Sequence, residues 1–491
     1  PDRKPCPLAA WRRRLDRRAG RGRMNAAFAA VSGHAQTRTL ETCMTSSSGK
    51  NRQAHAAGLP HVAYVLLWYP LFTQPFIFRE VQGLREHLPL SVFSLYSHNL
   101  RHCSTEMREA AGQTHTFGIR SLPRLLAEIC RQMFFHPLRT SRLFFRTMGH
   151  RWNSLETLGE NLWAFCVGVY LGRLFVEAGI DMVYAPWPRG TASAAWVAAS
   201  LAGLPFATSA RGDNLDPADP DLGDKFRAAL FLRANNAADK KRIEEFDQGQ
   251  ARGKVELVYN CLTLPLPAPA PAPEKTCGTQ VPGGQQPMQR PVRLLALGRF
   301  DVTKGFDVLV RACGLLRDRG TDFRLTLAGG GGAAMGLGHM DRQILRLRKD
   351  LGLEEHIFLP GLVNHNDLPR MLAEHDIFVA PCVMHSSGRR DGIPNTVIEA
   401  MSCGLPVVST TVNALPEVVR DGQTGLGVPP NDPAALADAL QCLADDAGMA
   451  ARLASNGRDL TRTMFDPERN SLETARIFIH HFSLWKRTCA A

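Results

Sequence analysis

The chain has 491 residues, 44% of them hydrophobic and 21% charged, with a formal net charge of +12. That length exceeds one ordinary core and makes two domains the expectation, while no run of eighteen apolar residues marks a membrane span. The twelve Cys are scattered, without a Cys-x-x-Cys pair or a His cluster at zinc spacing. This disfavours a disulfide framework or structural zinc and fits a reducing, cytoplasmic setting.

The basic excess is local. Residues 1–52 carry twelve Lys/Arg against Asp2, Asp16 and Glu41, which is +9 of the +12. Charge confined to one tail does not point to nucleic acid. Residues 1–58 read as a solvated extension, because they lack the apolar area that would offset ordering entropy. Met24 and Met44 lie inside it, and one or the other is the expected translation start. No apolar segment follows the arginines, so a signal peptide is not read there.

Order is expected from "HVAYVLLWYP" (61–70), a β-branched and aromatic run closed by a Pro turn. "SVFSLYS", "DMVYAP", "LPFATSA" and "VELVYN" read as further strands, with helical patterns such as "FIFREVQGLREHL" and "TASAAWVAASLAG" between them. Such alternation predicts a parallel sheet covered on both faces. The basic, apolar-rich stretch 119–152 reads as helical, either with one solvated face or as a surface that rests on an anionic membrane. Residues 264–291, Pro/Ala-rich and then Gly/Gln-rich, read as an extended linker. The alternation restarts with "VRLLALGRF", "FRLTLAGG", "HIFLPGLV", "DIFVAP" and "LPVVST". The expected organisation is an α/β pair of doubly wound, Rossmann-like domains, 59–263 and 292–465, facing a cleft. Residues 466–491 form a final helix that packs back on the first domain.

Two constellations carry chemistry. In "DGIPNTVIEAMSCGLPVVST", Pro394 suits a helix first turn, and the helix runs through Glu399 to about Gly404. Its N-terminus offers unpaired N–H groups to a phosphate. Asp391 and a partly exposed Glu399 are placed to reach opposite ends of one ligand. In "LGRFDVTKGFDVLVRA", Arg299 sits at a strand tip and Lys304 at a helix start, two cations suited to a diphosphate. "DPD" (Asp219–Asp221) follows no strand and is not read as a metal site. "AGGGG" (Ala328–Gly332) lacks the Lys-Ser/Thr of a phosphate loop and reads as a close turn facing the cleft.

These motifs, with "LPGLV", "DIFVAP" and "ALPEVV…GLGVPPNDP", resemble the C-terminal half of retaining GT-B glycosyltransferases of family four, also called group 1. The resemblance covers about 292–465 and is looser in the first half, through "YVLLWYPLFTQPFIFREVQGL" and "KVELVYNCLTL". Bacterial exopolysaccharide glycosyltransferases look nearest. The resemblance implies that Glu399 holds the donor ribose and that Asp391, where the family usually has Glu, meets the donor sugar. It also implies that Arg299 and Lys304 clamp the diphosphate and that the backbone of Gly392, Ile393, Pro394 and Asn395 lines the pocket. Where many members carry a His, this chain has "RGDN". Arg211 either stabilises the leaving phosphate or pairs with Asp213 or Asp216.

The function expected is metal-independent, cofactor-free hexosyl transfer from a nucleotide sugar to a glycan or lipid-linked acceptor in exopolysaccharide or envelope glycan synthesis. The enzyme would be cytoplasmic, with an anionic membrane surface as a further contact. The alternatives are a nucleotide-sugar epimerase or hydrolase on the same fold, or an inactive nucleotide-sugar-binding scaffold.

Overall fold

The computed structural model describes residues 58–490 except 73, 101–102, 151, 153, 212–214, 216–217, 250, 263–289, 331–337 and 365. The expected basic extension, nearly all of the linker, and Asp213 and Asp216 lie outside the described residues.

The first half begins with β1 (Val62–Leu66), α1 (Pro75–His87), β2 (Leu90–Ser94), α2 (Thr105–Ala111) and β3 (Thr114–Thr116). A helical layer follows: α3 (Leu122–Phe135), α4 (Pro137–Met148) and α5 (Leu155–Glu177). The half closes with β4 (Met182–Ala185), α6 (Gly190–Ala202), β5 (Phe206–Ser209), α7 (Leu222–Ala228), β6 (Leu232–Ala234), α8 (Ala237–Glu245) and β7 (Val255–Leu257). Its seven strands are parallel in the order β3-β2-β1-β4-β5-β6-β7. All of β1 (Val-Ala-Tyr-Val-Leu) is buried, as a strand must be when helices cover both faces. The Ala-rich α6 is buried almost throughout, and α5 lies close against it. A Cβ on Gly168 of α5 would fall 2.7 Å from the Ala194 carbonyl oxygen of α6, so only glycine permits that approach.

The second half contains β8 (Val292–Gly298), α9 (Phe306–Asp318), β9 (Phe323–Gly329), α10 (Gly338–Asp350), β10 (Ile357–Phe358), α11 (Leu368–Ala373) and β11 (Ile377–Ala380). Next come α12 (Asn395–Ser402), β12 (Val407–Thr410), β13 (Leu426–Val428), α13 (Pro433–Asp445), α14 (Ala447–Met464) and α15 (Pro467–Ala490). Six parallel strands run β10-β9-β8-β11-β12-β13. In both sheets the order reverses beside the first strand, at β1/β4 and β8/β11. A crevice opens there, beyond the strand C-termini. The fold is thus the expected pair of doubly wound domains.

The helix α15 leaves the second half and joins the core of the first. Phe478 is fully buried, with its ring 4.9 Å from Tyr184 and 5.6 Å from Phe231, centroid to centroid. Two details differ from the sequence reading. The run "HIFLPGLV" forms only the two-residue β10, because Pro360 cannot donate to the ladder and Gly361 turns the chain at φ 81°. The strands β3, β6 and β13, each three residues long, were not anticipated.

Candidate active site

Arg299 follows the last residue of β8 and is exposed, with no side-chain partner among the described residues. Asp301 then caps a 3-10 turn, Val302–Lys304, by accepting from the Thr303 backbone N–H at 3.0 Å. Arg389 donates to both Asp301 oxygens at 2.6 Å. Burial works against ionisation of Asp301, but the Thr303 N–H and the Arg389 guanidinium hold its carboxyl below the ordinary range. Gly305 ends the turn at φ 61°, where a Cβ would lie 2.0 Å from the Pro381 carbonyl oxygen. No other residue fits there, and the tight turn sets Lys304 against the loop after β11.

In that loop Asp391 meets Lys304, Nζ to Oδ2 3.2 Å. The Thr303 hydroxyl lies 2.9 Å from Asp301 and 3.2 Å from Asp391, so its one proton serves one carboxylate at a time. Burial disfavours the Lys304 charge, yet Asp391 outweighs it and raises the ammonium above its ordinary value. Sequence reasoning gave Lys304 and Asp391 separate ligand contacts. In the structure they are partners.

The helix α12 begins at Asn395, with Pro394 just ahead of it at φ −62° and ψ 131°, rather than inside the first turn. Glu399 corrects the sequence reading more substantially. It is buried, 3% exposed, because Val397, Ile398, Ala400 and Met401 around it fill the core. It still borders the cleft. No hydrogen bond or ion pair reaches its carboxyl among the described residues, and burial alone pushes its pKa up to about 7.

Across the cleft, Arg211 follows β5 and is buried. Its guanidinium is flanked by the rings of Phe76 (4.9 Å) and Trp187 (4.7 Å), a double cation–π contact. It also approaches Glu80 of α1 at 4.0 Å. Arg233 of β6 pairs with the same carboxylate at 2.6 Å, and Tyr64 donates its hydroxyl to it at 2.6 Å. Burial raises the Glu80 carboxyl, but Arg233 and then Arg211 outweigh it and hold it below the ordinary range. This network was missed. Its signal was Glu80 standing on the apolar stripe Phe76–Ile77–Val81–Leu84 of α1.

The two walls enclose a cavity of about 1050 Å³ that Arg211, Arg299, Lys304, Asp391, Gly392, Ile393, Pro394, Asn395 and Glu399 all line. The first-half wall adds Trp68, Phe72 and Trp187 with Glu156 and Glu160. Asn260 links the walls, accepting from Arg211 Nη1 at 3.2 Å and donating to Asn395 Oδ1 at 3.2 Å. Glu417 of the second half accepts from Ala237 N and Ala238 N, at 3.0 and 2.9 Å, at the start of α8. Tyr259 donates to the same carboxylate at 2.8 Å. Asp221, at the end of the Asp219–Asp221 run, is buried in an ion pair with Lys225 at 2.9 Å.

The sequence profile of the family described as Glycosyl transferases group 1 matches residues 291–446. That segment holds Arg299, Lys304, Asp391 and Glu399. Residues 291–446 are thus similar to a glycosyl transferases group 1 domain. Over 150 residues the chain is 34% identical to WcaL of Salmonella typhimurium, a protein assigned to colanic acid biosynthesis as a glycosyltransferase; this covers 30% of this chain and 35% of WcaL. The amylovoran biosynthesis glycosyltransferase AmsK of Erwinia amylovora is 33% identical over 153 residues, 31% of this chain and 36% of AmsK. The chain therefore spans about a third of the length of these curated relatives. The fold is similar to that of Anabaena HepE, solved with UDP and glucose, at TM-score 0.60 and 17% identity, covering 85% of this chain and 98% of HepE. Group 1 motifs in the second half and two doubly wound domains around one cleft define the GT-B architecture here.

Proposed function

We propose that the protein is a retaining glycosyltransferase that moves a hexosyl group from a nucleotide-diphosphate sugar to a glycan or lipid-linked hydroxyl. The observation that carries this reading is Glu399, a buried carboxyl without a partner that borders the same cavity as the exposed Arg299 and the N-terminus of α12. A buried polar group left unpaired is costly, and a ribose diol donating two hydrogen bonds would satisfy it. Arg299, Lys304 and the α12 N–H groups would then meet the diphosphate. An arriving diphosphate competes for Lys304 and releases Asp391 to accept from hydroxyls of the donor sugar.

In the transfer, the bond from the anomeric carbon to the phosphate oxygen breaks as the acceptor oxygen bonds to that carbon on the same face. The acceptor proton passes to the departing phosphate oxygen. Charge developing on the diphosphate is stabilised by the two cations and the helix N-terminus, already in place before reaction. Arg211 stands on the acceptor side, next to an aromatic wall that suits sugar rings. The names of WcaL and AmsK support a place in the synthesis of such polysaccharides, and the HepE complex supports a UDP-type donor.

A panel of nucleotide sugars, followed by thermal shift and by product analysis with and without glycan acceptors, tests the reading. Transfer requires an acceptor. Turnover of the donor alone would mark an epimerase or hydrolase, and stabilisation without turnover would mark a scaffold. If no nucleotide sugar stabilises the protein, the reading fails.

A further inference from the structure

The hairpin of α3 and α4 has two unlike faces. Inward, Leu125, Leu143 and Thr147 are buried, and Glu128, the one acid between residues 119 and 152, is held by Arg131 at 2.5 Å and Arg173 of α5 at 3.4 Å. Outward, Ile119, Leu122, Leu126 and Met133 recur at helical spacing and are all exposed. Phe134 at the tip is 80% exposed and Leu138 is 87% exposed. On α4 the outward line runs Leu138, Arg142, Phe145, with Phe145 70% exposed. Arg120 and Arg124 flank the start of the α3 stripe.

So large an apolar stripe has no place in contact with water, and its charges are all of one sign. A partner polypeptide core would cover the phenylalanines but leave the interleaved arginines desolvated. A bilayer interface takes both: side chains insert among the acyl chains while guanidinium groups stay at anionic headgroups. The hairpin, with helices about 20 Å long, suits lying in that plane.

The first turns of α5 contribute Glu156, Gly159 and Glu160 to the cleft wall, and Leu155, just before them, is 86% exposed. An exposed apolar side chain thus stands at the rim of the acceptor half of the cleft, on the helix that follows the hairpin in the chain. We propose that the outer face of the α3–α4 hairpin docks on an anionic lipid bilayer and sets the cleft mouth beside it. The docking itself is independent of the proposed chemistry; its use, access to a lipid-linked acceptor, rests on that reading.

The test is co-sedimentation of the full chain with phosphatidylcholine vesicles, plain or mixed with phosphatidylglycerol, at low salt. Wild type should pellet with the mixed vesicles and much less with plain ones. A Phe134→Ser, Leu138→Ser, Phe145→Ser variant and an Arg120→Glu, Arg124→Glu, Arg142→Glu variant should each partition at least about ten-fold less. Both sets lie outside the cleft, so nucleotide-sugar thermal shifts equal to wild type would confirm folding. Wild type left in the supernatant would overturn the proposal and make this face a contact for another polypeptide. Equal pelleting of wild type and both variants would overturn it as well. Wild type that pellets but binds no nucleotide sugar would strike the donor reading alone.

Discussion

On the second-half wall of the cleft, Arg299 is exposed and Glu399 is buried, and neither has a side-chain partner among the described residues. On the facing wall, Arg211 and Arg233 converge on Glu80, Tyr64 donates to the same carboxylate, and two aromatic rings flank Arg211. The first wall pairs Lys304 with Asp391 but leaves Arg299 and Glu399 for a ligand to complete; the other turns its buried charges on one another. The difference separates two kinds of residue that both line or support the cavity. Substitutions on the self-paired wall should act on folding, and substitutions on the open wall should act on binding.

The strongest way to break that contrast is Glu80→Ala. It leaves two guanidinium groups buried without their shared carboxylate, so unfolding free energy should fall by about 3–5 kcal/mol in urea titration. A loss under about 1 kcal/mol would mean that the network relaxes freely and that the wall is not held by it.

Glu399→Gln should act in the opposite direction on stability while lowering nucleotide affinity. The folded-state pKa of Glu399 is about 7 against an ordinary 4.5, so the folded state holds an extra proton between those values. Wild-type stability therefore falls as pH rises from about 4.5 to 7, and the neutral variant lacks this slope. Above pH 7 the variant should be more stable by up to about 3 kcal/mol in the absence of ligand. Nucleotide-sugar affinity should rise across about pH 7 in wild type, as the carboxyl ionises to accept ribose hydroxyls, and stay flat in the variant. Calorimetry at pH 6 and pH 8 reads this directly; parallel pH profiles would remove the ribose role.

Arg299→Ala should weaken nucleoside diphosphate by about ten- to a hundred-fold, the size of a lost charge-assisted contact, and leave unfolding within about 0.5 kcal/mol of wild type. Equal weakening of the bare nucleoside would show that Arg299 does not meet the diphosphate. The smallest effect expected is that of metal removal. With Arg299, Lys304 and helix N–H groups facing the diphosphate, transfer rates should be unchanged by chelator. A loss restored by a divalent cation would replace that arrangement with a metal-assisted one.

The open wall was readable in the sequence because its chemistry sits at turns. Arg299, Lys304-Gly305 and the Asp391–Asn395 loop each follow an apolar strand and precede a helix, so position and residue type point to the same crevice. Two features were hidden. Burial of Glu399 depends on α12 packing into the core on the same side as its neighbours, which a helical repeat with mixed residues does not specify. The Lys304–Asp391 pair joins residues 87 positions apart, and the Glu80–Arg233 pair joins residues even farther separated. Pairings of that range follow from sheet order, and the decisive strand β6 is only Leu-Arg-Ala. Short strands of that kind, like polar β3 (Thr-His-Thr), carry too few residues for alternation to register.

The return of α15 to the first sheet means that residues 58–262 alone do not contain their whole core. Phe478 and Phe482, near the end of the chain, complete the core around Tyr184 and Phe231. A recombination that exchanged everything after residue 290 would replace the donor-side domain and, with it, part of the acceptor-side core. Separate chains of 58–262 and 290–490 should therefore reassemble when produced together, whereas 58–262 with 290–466 should not. Inheritance of this second half is constrained by the first, through a helix that lines neither wall of the cleft.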